Sequence, residues 1–159
     1  NHVSGLDPLL MIAASPRPLR FLIAREQYDR WWLRWLFDAI GCIPVTRHAP
    51  APRALARARA ALERGEIVAL FPHGRMHLDH EPPIPLKRGV IYLAAQTGAP
   101  IVAMRLEGIR GQGLTVPAVL LRSRARLTSF PPFHYTGDAG EEFLQRLARA
   151  LARRDIAQA

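Results

Sequence analysis

The sequence predicts one α/β domain in which a central, largely parallel or mixed sheet is flanked by helices. Short apolar segments alternate with longer segments of helical periodicity, the pattern of strands joined by crossover helices. The chain has 159 residues, 49% of them hydrophobic, enough to bury the core of a single domain. Its apolar runs are much shorter than the ~20 residues that span a bilayer. We therefore expect one domain over residues 1–159 and, because the first residue is not methionine, further helices upstream.

The first part of the chain is predicted to contain two helices and a buried strand. Asp7 suits the N-cap of a helix and the proline after it suits the first helical position, so a helix is expected over residues 8–14. Residues 19–24 are almost entirely apolar, as in a buried strand. Residues 28–40 repeat apolar side chains at helical spacing up to Gly41, a residue type that commonly ends helices.

The helix predicted over residues 28–40 carries the three tryptophans of the chain, Trp31, Trp32 and Trp35, with arginines between and beside them. The simplest interpretation is that this apolar stripe faces the core. The alternative is an interfacial helix, because tryptophan and arginine together suit the boundary between water and lipid.

Strands and helices continue to alternate in the rest of the chain. The predicted strands cover residues 43–46, 67–71, 101–106 and 122–130, and the predicted helices cover residues 52–64, 87–97 and 141–156. Ligands of a parallel sheet gather at the carboxyl ends of its strands. Two segments able to bind anions begin there, because Thr46 and Arg47 follow one strand and residues 72–75 follow the next. The sequence therefore predicts a ligand site at this edge.

The chain is strongly basic, with a net charge of +9, and Lys87 is its one lysine among 22 basic residues. So large an excess of arginine can reflect genomic base composition, which weakens the charge as evidence of function. A basic surface still favours anionic partners such as phospholipid headgroups. The arginines are scattered over many elements rather than gathered in one patch, so we expect no nucleic acid partner. The single cysteine excludes an internal disulfide.

His2 and Asp7 are the first candidate catalytic residues. Five residues apart, they cannot share one face of a helix, but a loop that carries His2 into a helix starting near Asp7 would bring them together. An imidazole held by a carboxylate is a general base that can take a proton from a hydroxyl. The alternative is that Asp7 only caps the helix and His2 lies on the surface.

Five segments in order along the chain point to one family. They are His2-x4-Asp7, residues 41–47 (an apolar strand ending in arginine), residues 71–75 (Phe-Pro-His-Gly-Arg), residues 85–89 and residues 98–102. In order and spacing they resemble the conserved blocks of the glycerolipid acyltransferases, the family of the 1-acylglycerol-3-phosphate acyltransferases and related lysophospholipid acyltransferases. The resemblance extends from His2 to about Glu107.

The resemblance implies a glycerol-3-phosphate acyltransferase-like fold and a role for each matching residue. His2 would be the base that deprotonates the acceptor hydroxyl, and Asp7 would orient it. Arg47 and Arg75 would bind the acceptor phosphate, since guanidinium binds phosphate bidentately. Backbone N–H groups around Gly74 are candidates for steadying the oxyanion.

The resemblance also implies the reaction and its partners. A fatty acyl group would move from acyl-CoA or acyl-ACP to the hydroxyl of a lysophospholipid, most simply 1-acyl-glycerol-3-phosphate, in phospholipid biosynthesis or remodelling. No cofactor and no metal are expected. The protein would act as a peripheral protein at the cytoplasmic face of a membrane.

His73 departs from the family pattern, which has glutamate at this position. We expect it to belong to the acceptor site, to donate to a phosphate oxygen, and to become cationic at mildly acidic pH. The loss of the carboxylate leaves a second hypothesis open, a lipid-binding pseudoenzyme of the same fold. The spacing of His73, His77, Asp79 and His80 also leaves a zinc site as a lesser alternative.

Overall fold

The computed structural model describes residues 1–46, 51–78, 80–114, 121–137 and 139–152. Its central element is a parallel sheet of three strands in the order β2-β1-β3. The strands are β1 (Leu19–Ala24), β2 (Ile43–Val45) and β3 (Ile67–Ala69). Because the strands are parallel, their carboxyl ends point to the same edge: the register pairs Ala24 with Val45 at the ends of β1 and β2, and β3 ends at Ala69, opposite Phe21. The predicted parallel sheet is confirmed.

Six helices and a second, smaller sheet are described around it. The helices are α1 (Asp7–Ala14), α2 (Arg25–Tyr28), α3 (Trp31–Ile40), α4 (Pro52–Glu63), α5 (Gly89–Thr97) and α6 (Gly140–Ala152). Strands β4 (Met104–Glu107) and β5 (Arg126–Ser129) form an antiparallel pair. The predicted elements are therefore present with shifted ends, and the predicted helix over residues 28–40 is divided into α2 and α3.

Helices cover both faces of the parallel sheet because side chains alternate along its strands. On one face, Leu19 and Phe21 of β1 form a buried cluster that receives Met11 of α1 and Phe37 of α3. On the other face, Ile43 of β2 packs with Leu93 of α5 and with the small residues Ala54 and Ala58 of α4. Ala58 is fully buried, and its lack of bulk lets α4 lie close to the sheet.

The expectation that the tryptophan stripe faces the core is wrong. Trp31 is 86% exposed and Trp35 is 68% exposed, whereas Phe37 packs against the sheet. Six helical steps separate Trp31 from Phe37, about 240° around the axis, so the two side chains cannot share one face. The core uses the narrower stripe at the end of α3, and the tryptophans project into solvent. Within the described ranges, no helix is long and apolar enough to cross a bilayer.

Candidate active site

The centre of the candidate site is the carboxylate of Asp7, which is fully buried at the start of α1. One oxygen, Oδ2, accepts hydrogen bonds from the backbone N–H of Val3 at 2.6 Å and of Ser4 at 3.0 Å. The other, Oδ1, accepts from the Ser4 hydroxyl at 3.0 Å. The predicted N-cap role is wrong, because Leu6 holds the N-cap position and the carboxylate reaches backwards to the preceding turn.

The same carboxylate binds His2. Nδ1 of His2 lies 2.8 Å from Oδ2 of Asp7. Because Oδ2 already accepts two backbone N–H groups, it acts as the acceptor here too, and Nδ1 carries the shared proton. A neutral His2 therefore has a lone pair on Nε2. The ring stacks on Phe71 with centroids 3.8 Å apart and an interplanar angle of 16°, and the side chain keeps 17% exposure. The structure thus brings together the two residues that the sequence paired.

The segment carrying His2 is held by backbone pairing with distant parts of the chain. The His2 carbonyl accepts a hydrogen bond of 2.8 Å from the backbone N–H of His77. The Asn1 side chain exchanges two hydrogen bonds with the backbone of Leu106 in β4, at 2.7 and 3.0 Å. Val3 is buried against Leu106 and Ile109. These contacts fix the imidazole beside Phe71, two residues beyond the end of β3.

A glycine turn follows β3. Gly74 has φ of +73°, and its N–H donates to the Phe71 carbonyl at 2.9 Å. This backbone conformation favours glycine, because residues with a side chain rarely adopt it, and a Cβ at Gly74 would displace the Lys87 side chain, whose Cε would lie 2.6 Å away. The backbone N–H of Lys87 donates to the Pro72 carbonyl at 2.8 Å. Sequence reasoning did not assign Lys87 to the site, although it lies in one of the blocks that carry the resemblance.

His73 lies in this turn as an uncharged imidazole. Burial, and the His77 ring whose centroid is 4.7 Å away, lower the pKa of His73 to about 4. Its Nδ1 is buried and has no hydrogen-bond partner among the described residues. The expectation that His73 becomes cationic at mildly acidic pH is therefore wrong for the ligand-free protein, because desolvation outweighs the intrinsic basicity of the ring.

Arg75 and His77 converge on one carboxylate that sequence reasoning missed. Nη1 of Arg75 lies 3.1 Å from Oε2 of Glu81, and Nδ1 of His77 lies 3.0 Å from the same oxygen. The hydrogen bond from His77 is the main cause that holds the pKa of Glu81 below its usual range. Glu81 lies in a proline-rich loop and belongs to no recognisable motif, so only the fold reveals its position. Arg47, the other predicted phosphate ligand, lies outside the described residues.

The alternative of a zinc site receives no support from the described part of the chain. No group of three or more metal-binding side chains occurs there, and Asp79 lies outside it. The pairing of His77 with Glu81 accounts for one of the imidazoles in another way.

Two cavities adjoin the site. A groove of about 470 Å³ is lined by His73, His77 and Glu81 on one side and by the last turns of α6 on the other. An apolar cavity of about 200 Å³ extends from Phe71 and Pro72 into the core between β3 and the segment preceding β4. Phe71 therefore separates the imidazole of His2 from an apolar interior space.

The fold and site together define a class: an α/β protein with a partly exposed, carboxylate-bound histidine at the carboxyl edge of a parallel sheet, beside a basic glycine turn. Its family follows from comparison with known proteins. The family model described as Acyltransferase matches residues 1–107, and the chain belongs to that family.

Relatives and a solved structure agree with this assignment. The chain is 28% identical over 109 residues to the 1-acyl-sn-glycerol-3-phosphate acyltransferase of Bacillus subtilis, covering 68% of this chain and 53% of the relative. It is 28% identical over 118 residues to the probable 1-acyl-sn-glycerol-3-phosphate acyltransferase of Mycoplasma pneumoniae, covering 70% and 44%. The chain therefore spans about half the length of these relatives.

The fold resembles the crystal structure of PlsC, the 1-acyl-sn-glycerophosphate (LPA) acyltransferase of Thermotoga maritima. The TM-score is 0.67 at 19% sequence identity, over 96% of this chain and 61% of that one. The predicted α/β fold of the acyltransferases is confirmed.

The neutral state of the partly buried His73 predicts a specific loss of stability in acid. Its folded pKa, about 4, lies below the ordinary value of 6.5, so between these values the unfolded chain binds more protons and stability falls as pH falls. One proton corresponds to about 1.4 kcal/mol per pH unit. We expect His73→Gln to flatten this part of the stability curve, as measured by urea unfolding between pH 4 and pH 7. The control is His134→Gln at an exposed histidine. Parallel stability curves for the wild type and His73→Gln would contradict the claim that His73 is neutral in the folded protein over this pH range.

Proposed function

We propose that this chain carries the acyl-transfer site of a lysophospholipid acyltransferase. The reaction moves a fatty acyl group from the thioester of acyl-CoA or acyl-ACP to the hydroxyl of a lysophospholipid, with 1-acyl-glycerol-3-phosphate as the acceptor. The observation that carries the proposal is the buried Asp7 carboxylate that holds His2 by Nδ1 and leaves Nε2 as the basic nitrogen. The names of the Bacillus and Mycoplasma relatives support the choice of acceptor.

In the proposed mechanism, Nε2 of His2 accepts the proton of the acceptor hydroxyl as the oxygen attacks the thioester carbonyl. The imidazolium that forms is compensated by the Asp7 carboxylate 2.8 Å from Nδ1. When the tetrahedral intermediate collapses, the new C–O ester bond stays and the C–S bond breaks. The thiolate then takes the proton from His2 and leaves as the thiol, so the histidine returns to its starting state.

The turn after β3 supplies the positive charge that the acceptor phosphate needs. Arg75 follows Gly74 in this turn, the side chain of Lys87 lies close to Gly74, and the resemblance to the family adds Arg47. Backbone N–H groups near Gly74 are our candidates for stabilising the oxyanion, because a φ of +73° turns the chain sharply at the edge facing His2. His73, being uncharged, would contribute shape and a ring nitrogen rather than charge.

The apolar cavity of about 200 Å³ beside Phe71 is the proposed place for part of an acyl chain. It begins one aromatic ring away from His2, whose imidazole stacks on Phe71. Burying methylene groups there would contribute about 0.8 kcal/mol for each group removed from water.

We also propose that the protein acts as a peripheral protein at the cytoplasmic face of a membrane, with α3 in contact with lipid. Trp31 and Trp35 are exposed on a helix that packs on the same sheet face as Phe71. Leu9 and Ile12 of α1 add exposed apolar surface, at 43% and 37%. Indole rings favour the interface between headgroups and acyl chains, where a lysophospholipid acceptor would be found.

One observation favours a second candidate, a lipid-binding protein with little turnover. The uncharged His73 stands where the family pattern has an acidic residue, so the acceptor site differs in charge from that pattern. Acyl transfer itself distinguishes the two candidates.

Removal of the base is the direct test of the mechanism. We expect His2→Ala to lower kcat by about 10²–10⁴-fold, the range that general-base catalysis contributes. The assay is thiol release from acyl-CoA and acyl-ACP with 1-acyl-glycerol-3-phosphate, and His134→Ala is the control at an exposed histidine. A kcat within about threefold of the wild type would contradict the assignment of His2. Lipid binding with no thiol release from the wild type would favour the second candidate.

The proposed membrane contact predicts a loss of affinity for vesicles. Removing each indole from an apolar interface costs about 1.5 kcal/mol or more, so Trp31→Ser and Trp35→Ser are each expected to weaken binding about tenfold. The measurement is sedimentation with vesicles containing anionic lipid, at low and high salt. Tyr92→Ser on α5 is the matched control, because Tyr92 is 42% exposed on a helix covering the opposite sheet face. Unchanged binding by both tryptophan variants would exclude α3 as the contact surface.

A further inference from the structure

Glu81 is the carboxylate that faces the basic turn after β3. Its Oε2 accepts from Nη1 of Arg75 at 3.1 Å and from Nδ1 of His77 at 3.0 Å. Its side chain is 29% exposed, whereas that of Arg75 is 50% exposed. A single oxygen that accepts from two side chains restricts both of them.

Arg75 depends on such a partner for its orientation. Its side chain is half exposed, and its other hydrogen bond, at 3.2 Å to the carbonyl of Met76, is to the next residue along the chain. Both contacts are made through Nη1. Since a guanidinium has five N–H groups on three nitrogens, the pair with Glu81 fixes the plane of the group while Nε and Nη2 keep donors of their own.

The second contact of Glu81 leads back to the base. His77, whose ring Glu81 holds, pairs through its backbone with His2, since the His77 N–H donates to the His2 carbonyl at 2.8 Å. Glu81 therefore connects the loop that carries Arg75 to the segment that carries His2.

We propose that Glu81 is a positioning residue for the acceptor: it orients Arg75 towards the phosphate and holds His77 against the segment that carries His2. The inference rests on the proposed function, because it assigns the anion bound by Arg75 to the acceptor phosphate. In this proposal Glu81 acts through Arg75 and His77 and not by contact with the reacting atoms or the phosphate.

Two effects of Glu81 have opposite signs, which makes the proposal testable. As a negative charge near Arg75, Glu81 would repel a phosphate, so its removal would tighten acceptor binding if Coulomb interaction alone mattered. As a positioning residue, it presents the guanidinium in the geometry that the phosphate requires, so its removal would weaken binding. We expect the second effect to be larger, because Arg75 is otherwise a half-exposed side chain with many rotamers.

The experiment compares the wild type with Glu81→Gln in the natural full-length protein. The acceptors are 1-acyl-glycerol-3-phosphate and, as a phosphate-free acceptor, a monoacylglycerol. Glu63→Gln is the matched control, because Glu63 is a half-exposed glutamate that pairs with Arg59 on α4. Acceptor Kd is measured by calorimetry and KM and kcat by thiol release, and thermal unfolding verifies that all three proteins fold.

For Glu81→Gln we expect Kd and KM for the phosphate-bearing acceptor to rise about tenfold, with kcat within about threefold and little change for the monoacylglycerol. A Kd that falls or stays the same would overturn the positioning role while leaving the proposed function intact. An equal loss with both acceptors would also overturn it, because it would indicate a general structural role. If the wild type binds the phosphate-bearing acceptor without releasing thiol, the proposed function fails, and the Kd ratio still decides the role of Glu81.

Discussion

The burial of the Asp7 carboxylate is the constraint on which the rest of the site depends. A carboxylate removed from water is costly unless its oxygens receive hydrogen bonds. Here four donors meet that requirement, and all of them belong to His2, Val3 and Ser4. The hydrogen bonds that the buried carboxylate requires therefore stabilise the turn before α1 and direct Nδ1 of His2 towards Asp7. Nε2, the other ring nitrogen, remains available as the base.

The sheet decides where this arrangement is placed. Phe71 follows β3 at the carboxyl edge and stacks on His2. The ring of Phe71 also stacks with that of Phe21 in β1, with ring centroids 6.3 Å apart. The glycine turn that follows carries Arg75, and the side chain of Lys87 lies close to Gly74 of the same turn. The base and the basic turn thus meet because Phe71, which stacks on His2, and Gly74 both follow the carboxyl end of β3, the edge at which such sheets bind ligands.

Much of this organisation could be predicted from local sequence. The features that could not be predicted share one physical origin. The alternation of strands and helices, the glycine that ends α3 and the proximity of His2 to Asp7 all depend on near neighbours in the chain. The exposure of Trp31 and the role of Glu81 depend on which distant segments pack together. The sequence of a hydrophobic stripe does not determine whether a protein core or a lipid surface covers it. A single glutamate in a proline-rich loop belongs to no motif that would predict its partners.

The direction of the Asp7 hydrogen bonds also could not be predicted from the sequence. An aspartate at this position can accept hydrogen bonds either from the first turn of the helix, as an N-cap, or from the turn that precedes the helix.

The most direct test of the proposed base is the tautomer of His2, read from the ¹⁵N chemical shifts of histidine-labelled protein above pH 7. We predict a protonated Nδ1 and an unprotonated Nε2 for His2 in the wild type. The exposed histidines His80 and His134 serve as internal references. Asp7→Asn should move His2 towards the Nε2-protonated tautomer. An Nε2-protonated His2 in the wild type would contradict the account, since the basic nitrogen would then face Asp7 and not the acceptor.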